Sequence, residues 1–159
     1  MRDLCVIVDL SGSMYELGKP AIIANVLSTL STLETLGDEN ERLVLTKLQW
    51  DGDGKSLEPI LEKCMGVNTL LLTDGYSISD DCRSNRTVKT LMEEKKDSLF
   101  VVLCGGDAVN ISSFKEFSRV KTVNADNILF ALENFDWKEM RSSDETVGTP
   151  PQDDGDDWE

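Results

Sequence analysis

The 159-residue chain is 40% hydrophobic and 29% charged, with a formal net charge of −14. That length suits one domain with a real core, and the charge excludes nucleic acid or an anionic membrane held by general electrostatics. The sequence contains no histidine, which removes Ser-His and Cys-His catalysis and most zinc sites.

Leu4-Cys5-Val6-Ile7-Val8 is a short apolar run, rich in β-branched residues, and predicts a strand buried on both faces. Gly18-Lys19-Pro20 then marks a helix start, with proline in the first turn. Ile23, Val26, Leu27, Leu30, Leu33 and Leu36 give that helix one apolar stripe, and Gly37-Asp38 supplies its stop. Residues 43–50 (LVLTKLQW) mix polar and apolar positions and predict a strand nearer the sheet edge. Leu57, Ile60, Leu61 and Cys64 predict a short helix, and residues 68–73 (NTLLLT) a second wholly buried strand.

The polar stretch 76–86 (YSISDDCRSNR) reads as a surface loop, followed by a helix from Val88 to about Lys96. Residues 99–104 (LFVVLC) form a third apolar strand, ended by Gly105-Gly106. A short helix around Ile111–Phe117, a last strand near Val120–Val123 and a helix over Ile128, Leu129, Leu132 and Phe135 complete the pattern. Strands alternating with helices predict a Rossmann-like three-layer α/β domain, mostly parallel, with helices on both faces. The domain is expected to span residues 1–141. Residues 142–159, with seven acids (Asp144, Glu145, Asp153, Asp154, Asp156, Asp157, Glu159) and no Lys or Arg, read as a disordered tail.

The first strand starts too early to leave room for a secretory signal, and no apolar run is long enough to span a bilayer. Cys5, Cys64, Cys82 and Cys104 show no C-x-x-C pairing, so they read as free thiols in a reducing, cytoplasmic setting.

The chemistry concentrates where the first strand ends, at Asp9-Leu10-Ser11-Gly12-Ser13. One carboxylate and two hydroxyls at alternate positions can converge above the carboxyl end of a parallel strand, where open α/β sheets bind ligands. Hard oxygen donors without sulfur or imidazole suit Mg²⁺, or alternatively Mn²⁺ or Ca²⁺. Asp74, closing the strand Leu70-Leu71-Leu72-Thr73, adds a second carboxylate at the same edge.

Asp9-Leu10-Ser11-Gly12-Ser13 resembles the D-x-S-x-S signature of von Willebrand factor type A domains, the first loop of their metal-ion-dependent adhesion site. Leu70-Leu71-Leu72-Thr73-Asp74-Gly75 resembles the third loop. Gly54-Lys55-Ser56 matches the second, with Ser56 where the family usually carries threonine. The resemblance covers roughly residues 3–140 and is nearest to small standalone bacterial members. It implies metal ligation by Ser11, Ser13 and Ser56, with Asp9 and Asp74 acting through water. It also implies a coordination position open to an Asp or Glu of a protein partner. Such relatives often serve as adaptors beside AAA+ ATPases or kinase and phosphatase partners, without being enzymes themselves.

Two other functions compete with a metal-dependent adaptor. One is a phosphoester or nucleotide hydrolase holding Mg²⁺ through Asp9 and Asp74, but the sequence offers no evident general base. The other is an interaction domain that needs no metal. Gly54-Lys55-Ser56 imitates the end of a P-loop, yet Gln49 stands where its first glycine belongs. Asp51, Asp53 and Glu62 echo an EF-hand loop, with Lys55 and Ser56 replacing a ligand and the glycine.

Overall fold

The computed structural model describes residues 1–108 and 120–137. Five strands form one all-parallel sheet: β1 (Arg2–Asp9), β2 (Leu43–Trp50), β3 (Asn68–Thr73), β4 (Leu99–Leu103) and β5 (Lys121–Asn124). Their spatial order is β2-β1-β3-β4-β5. The helices are α1 (Lys19–Leu33), α2 (Glu58–Cys64), α3 (Tyr76–Ser84), α4 (Arg86–Glu94) and α5 (Ile128–Glu133). The expected α/β architecture is therefore present.

Register explains why the central strands are apolar at every position. Val6, Leu70 and Phe100 lie side by side across the sheet, as do Ile7, Leu71 and Val101 one residue on. Because side chains alternate between faces, the first row points one way and the second the other. The first row joins Val26 and Leu30 of α1 and Ile128, Ala131 and Leu132 of α5 in one core. The second packs under Leu61 and Cys64 of α2, Ile78 and Cys82 of α3, and Val88 and Met92 of α4. Each such side chain contributes about 1.5–3 kcal/mol when fully buried. β2 is an edge strand, and its interior positions are partly or fully exposed as the mixed sequence predicts.

Three details differ from the sequence reading or lie outside the described residues. Residues 76–84 form a helix rather than a surface loop. Ile78 and Cys82, four apart, supply enough apolar contact because Ser77 and Ser79 are small and buried beside them. Ser79 Oγ also donates to the Gly75 carbonyl at 2.9 Å, returning its polar group to the helix backbone. The first helix ends at Leu33, before Gly37, and Leu36 is exposed. The expected helix at 111–117 and the acidic tail lie outside the described residues.

The strand order carries a functional consequence. β1 is followed by a step to β2 on one side, and β2 by a crossover to β3 on the other. The carboxyl ends of β1 and β3 therefore flank a topological switch point, where doubly wound sheets open a crevice. Asp9 ends β1 and Thr73-Asp74 ends β3. No helix among the described residues is long and apolar enough to cross a membrane.

Candidate functional site

After Asp9 the chain turns through a short 3-10 segment, Gly12–Tyr15, anchored by the buried Met14. Asp9 is itself buried, and both its oxygens are engaged. Oδ1 accepts from the Ser11 amide at 2.8 Å and Oδ2 from the Thr73 hydroxyl at 2.6 Å. This fixes the turn so that Ser11 Oγ and Ser13 Oγ lie 3.5 Å apart. Asp74 is fully buried across the crevice, with Oδ1 accepting from the Tyr76 amide at 3.3 Å.

The sequence reading placed Lys19 only as a helix-start residue. It is a central member of this site. Its side chain is fully buried, and Nζ donates to Asp74 Oδ2 at 3.0 Å, to the Ser13 carbonyl at 3.0 Å and to Asp107 Oδ2 at 3.1 Å. Nζ also lies 6.0 Å from the centre of the Tyr76 ring, whose hydroxyl donates to the Asp107 carbonyl. The loops after β1, β3 and β4 are thus drawn together around one ammonium.

The loop after β2 closes the fourth side through Gly52 and Asp53. A Cβ on Gly52 would lie 2.6 Å from Asp9 Oδ1 and 2.9 Å from Ser77, so only glycine permits this approach. Asp53 Oδ2 accepts from the Gly12 amide at 2.6 Å. Ser56 is engaged elsewhere. Its hydroxyl accepts from the Glu58 amide at 3.1 Å and from Asn85 Nδ2 at 3.2 Å, and donates to Asp81 Oδ2 at 3.3 Å. These bonds hold the turn that enters α2 and tie it to α3 and to the cap residue of α4. Of the five residues singled out from sequence, Asp9, Ser11, Ser13 and Asp74 gather at the switch point, and the hydrogen bonds of Ser56 lead away from it.

Burial raises the Asp9 carboxyl above its ordinary range, a shift that the Thr73 and Ser11 hydrogen bonds offset only partly and the Asp74 charge reinforces. Burial works against the Lys19 charge, but the bonds to Asp107 and Asp74 outweigh it and raise the amine. When all are ionised, Asp9, Asp53, Asp74 and Asp107 set four negative charges against one ammonium, a surplus of three. A divalent cation would reduce that surplus, and two adjacent hydroxyls are suitable hard donors for it. Among the described residues no three Cys, Asp or Glu side chains form a ready metal cluster. A cation would therefore depend on Ser11 and Ser13, and it would share Asp74 with Lys19.

No protein-family model and no curated protein matches this chain.

The residues missed in the sequence were Lys19, Thr73, Asp107, Gly52 and Asp53. Asp107 had a usable signal: like Asp74, it follows a buried strand at the carboxyl edge and sits beside glycine. The others depend on contacts between loops far apart in the chain. A separate cavity of about 770 Å³ lies between α1 and α5, lined by Ile22, Val26, Leu103, Asn124 and Leu129 among others.

Proposed function

We propose that this chain is a protein-docking domain of the von Willebrand factor A type, assisted by a divalent cation. Ser11 and Ser13 would hold the ion, with Asp9 and Asp74 supplying charge close by. The ion, when bound, supplies a positive centre that accepts an Asp or Glu of a protein partner, for example an AAA+ ATPase or a kinase or phosphatase system. The chain's own residues do the positioning. Asp9 orients the Ser11 amide, Thr73 holds Asp9, and Lys19 balances Asp74 and Asp107. The observation that carries this reading is the 3.5 Å pairing of the Ser11 and Ser13 hydroxyls beside buried carboxylates at the β1/β3 switch point.

A second reading rests on Lys19. Its ammonium already lies on Asp74, so the domain would dock partners with no added metal, the fixed cation keeping the loops in shape. Partner capture separates the two. Capture that requires Mg²⁺, fails with chelator and fails in Asp9→Ala supports the cation-assisted mode. Capture indifferent to chelator but lost in Lys19→Met selects the second.

A further inference from the structure

Beside the polar site stand exposed apolar side chains that neither core uses. Tyr15 and Leu17, between the serine pair and α1, are 65% and 72% exposed, and Tyr76 at the start of α3 is 44% exposed. The turn carrying the first two wraps around Lys19. The Lys19 amide donates to the Glu16 carbonyl at 3.0 Å, and its Nζ to the Ser13 carbonyl. Tyr76 meets the same ammonium with its ring, from the loop after β3. The three side chains thus form a rim next to Ser11 and Ser13. Leu17 is also the only non-glycine residue with a positive φ among the described residues, at 55°. Glycine or asparagine would hold that turn with less strain, so the backbone does not call for leucine there. An exposed apolar side chain held in a strained turn beside a polar recess marks a binding surface.

Charge and reach identify the occupant. Residues 142–159 carry seven acids and no Lys or Arg, and their one aromatic residue stands in Asp156-Asp157-Trp158-Glu159. Asp156 and Trp158 share one side of an extended segment, so a carboxylate can approach a cation at the serine pair while the indole covers the rim. The last described residue, Trp137, has its ring centre 5.6 Å from the Arg2 guanidinium, where β1 begins. The site lies past Asp9, at the other end of β1, about 23 Å away along a strand of that length. Trp158 is 21 residues beyond Trp137, and an unstructured chain of that length has an r.m.s. span of about 25 Å. Span and separation therefore match, the condition that gives a tethered ligand its highest effective concentration. Without a cation, Asp53, Asp74 and Asp107 outnumber Lys19 and repel an acidic segment. A divalent ion offsets that repulsion.

We infer that residues 153–159 are an internal ligand of the switch-point site, with an acid of this segment at the cation and Trp158 against Tyr15, Leu17 and Tyr76. The inference rests on the cation-assisted docking reading and adds a competitor to it: a partner's Asp or Glu has to displace the chain's own acidic segment. Docking of the segment requires Mg²⁺ and, being intramolecular, does not depend on protein concentration.

The test is acrylamide quenching of tryptophan fluorescence in the chelator-stripped full chain, with Mg²⁺ affinity measured by calorimetry on the same sample. Trp50 and Trp137 are buried, so quenching reports mainly on Trp158, and Trp158→Phe supplies the background. Saturating Mg²⁺ should lower the Trp158 quenching constant at least about twofold, because a tether of this length gives a millimolar effective concentration. The protection should be equal across a tenfold dilution. Leu17→Asn, which suits the left-handed backbone, should bind Mg²⁺ like the parent and lose the protection. Saturable Mg²⁺ binding with unchanged Trp158 quenching would overturn the inference and leave the docking reading standing. Protection that disappears on dilution, or that survives in Leu17→Asn, would also overturn it. Absence of saturable Mg²⁺ binding would remove both.

Discussion

The Lys19 ammonium lies 3.0 Å from Asp74 Oδ2, and both side chains are fully shielded from solvent. The two residues come from different loops, 55 positions apart in the chain. Their pairing places a positive charge at the point where hard oxygen donors gather. A buried pair of this kind costs desolvation on both sides, so it adds little stability beyond an apolar replacement, yet breaking it is expensive.

Lys19→Met should therefore destabilise the protein by about 3–5 kcal/mol in metal-free buffer, because Asp74 is left buried and unpaired. Urea denaturation measures this. The same variant raises the local negative surplus, so Mg²⁺ should bind it more tightly than the parent and recover part of the lost stability. An identical loss with and without Mg²⁺ would show that no cation can stand in for the ammonium.

Asp9 predicts a particular pH dependence. Its carboxyl is raised in the folded state, mainly by burial. Between the unfolded value and that raised value, the folded chain holds a proton the unfolded chain has released. Stability contributed by this group thus falls as pH rises through that window and levels off above it. Asp9→Asn keeps an oxygen acceptor for the Ser11 amide and removes the titration. Thermal melts of parent and variant should diverge in slope from the ordinary carboxylate range up to the raised Asp9 value and run parallel above it. Superimposable slopes throughout would refute this assignment.

Ser56→Ala tests the second loop. The serine hydroxyl accepts from the Glu58 amide at the entry to α2 and holds Asp81 and Asn85, so its loss should cost about 1 kcal/mol. Cation affinity should stay at the parent value. A weaker affinity with stability preserved would restore Ser56 as a ligand.

Much of the fold was legible because the sheet is covered on both sides. Runs such as Leu70-Leu71-Leu72 and Phe100-Val101-Val102 need apolar side chains at successive positions, and few local patterns imitate that. The edge position of β2 showed in its polar interruptions. Helix α3 was hidden because its mean composition is polar, and only the Ile78–Cys82 spacing marked a buried face. At the site, Asp9, Ser11, Ser13 and Asp74 were visible because strand ends announce themselves. Lys19 was not. A lysine in a first helical turn is ordinarily solvated, and nothing local indicates that its stem folds back beneath two loops. Asp53 was set aside with an unconvincing calcium loop, although its carboxylate reaches the Gly12 amide. Long-range hydrogen bonds of this kind leave no trace in periodicity.

The most direct measurement is calorimetric titration of Mg²⁺ and Mn²⁺ into the chelator-stripped full chain, beside Ser11→Ala/Ser13→Ala. Both proteins carry the same acidic tail, so loose binding there cancels between them. Saturable binding by the parent and none above that background by the double variant is the predicted result. Equal heats from the two proteins would contradict a cation held by the serine pair, and docking would then rest on Lys19 alone.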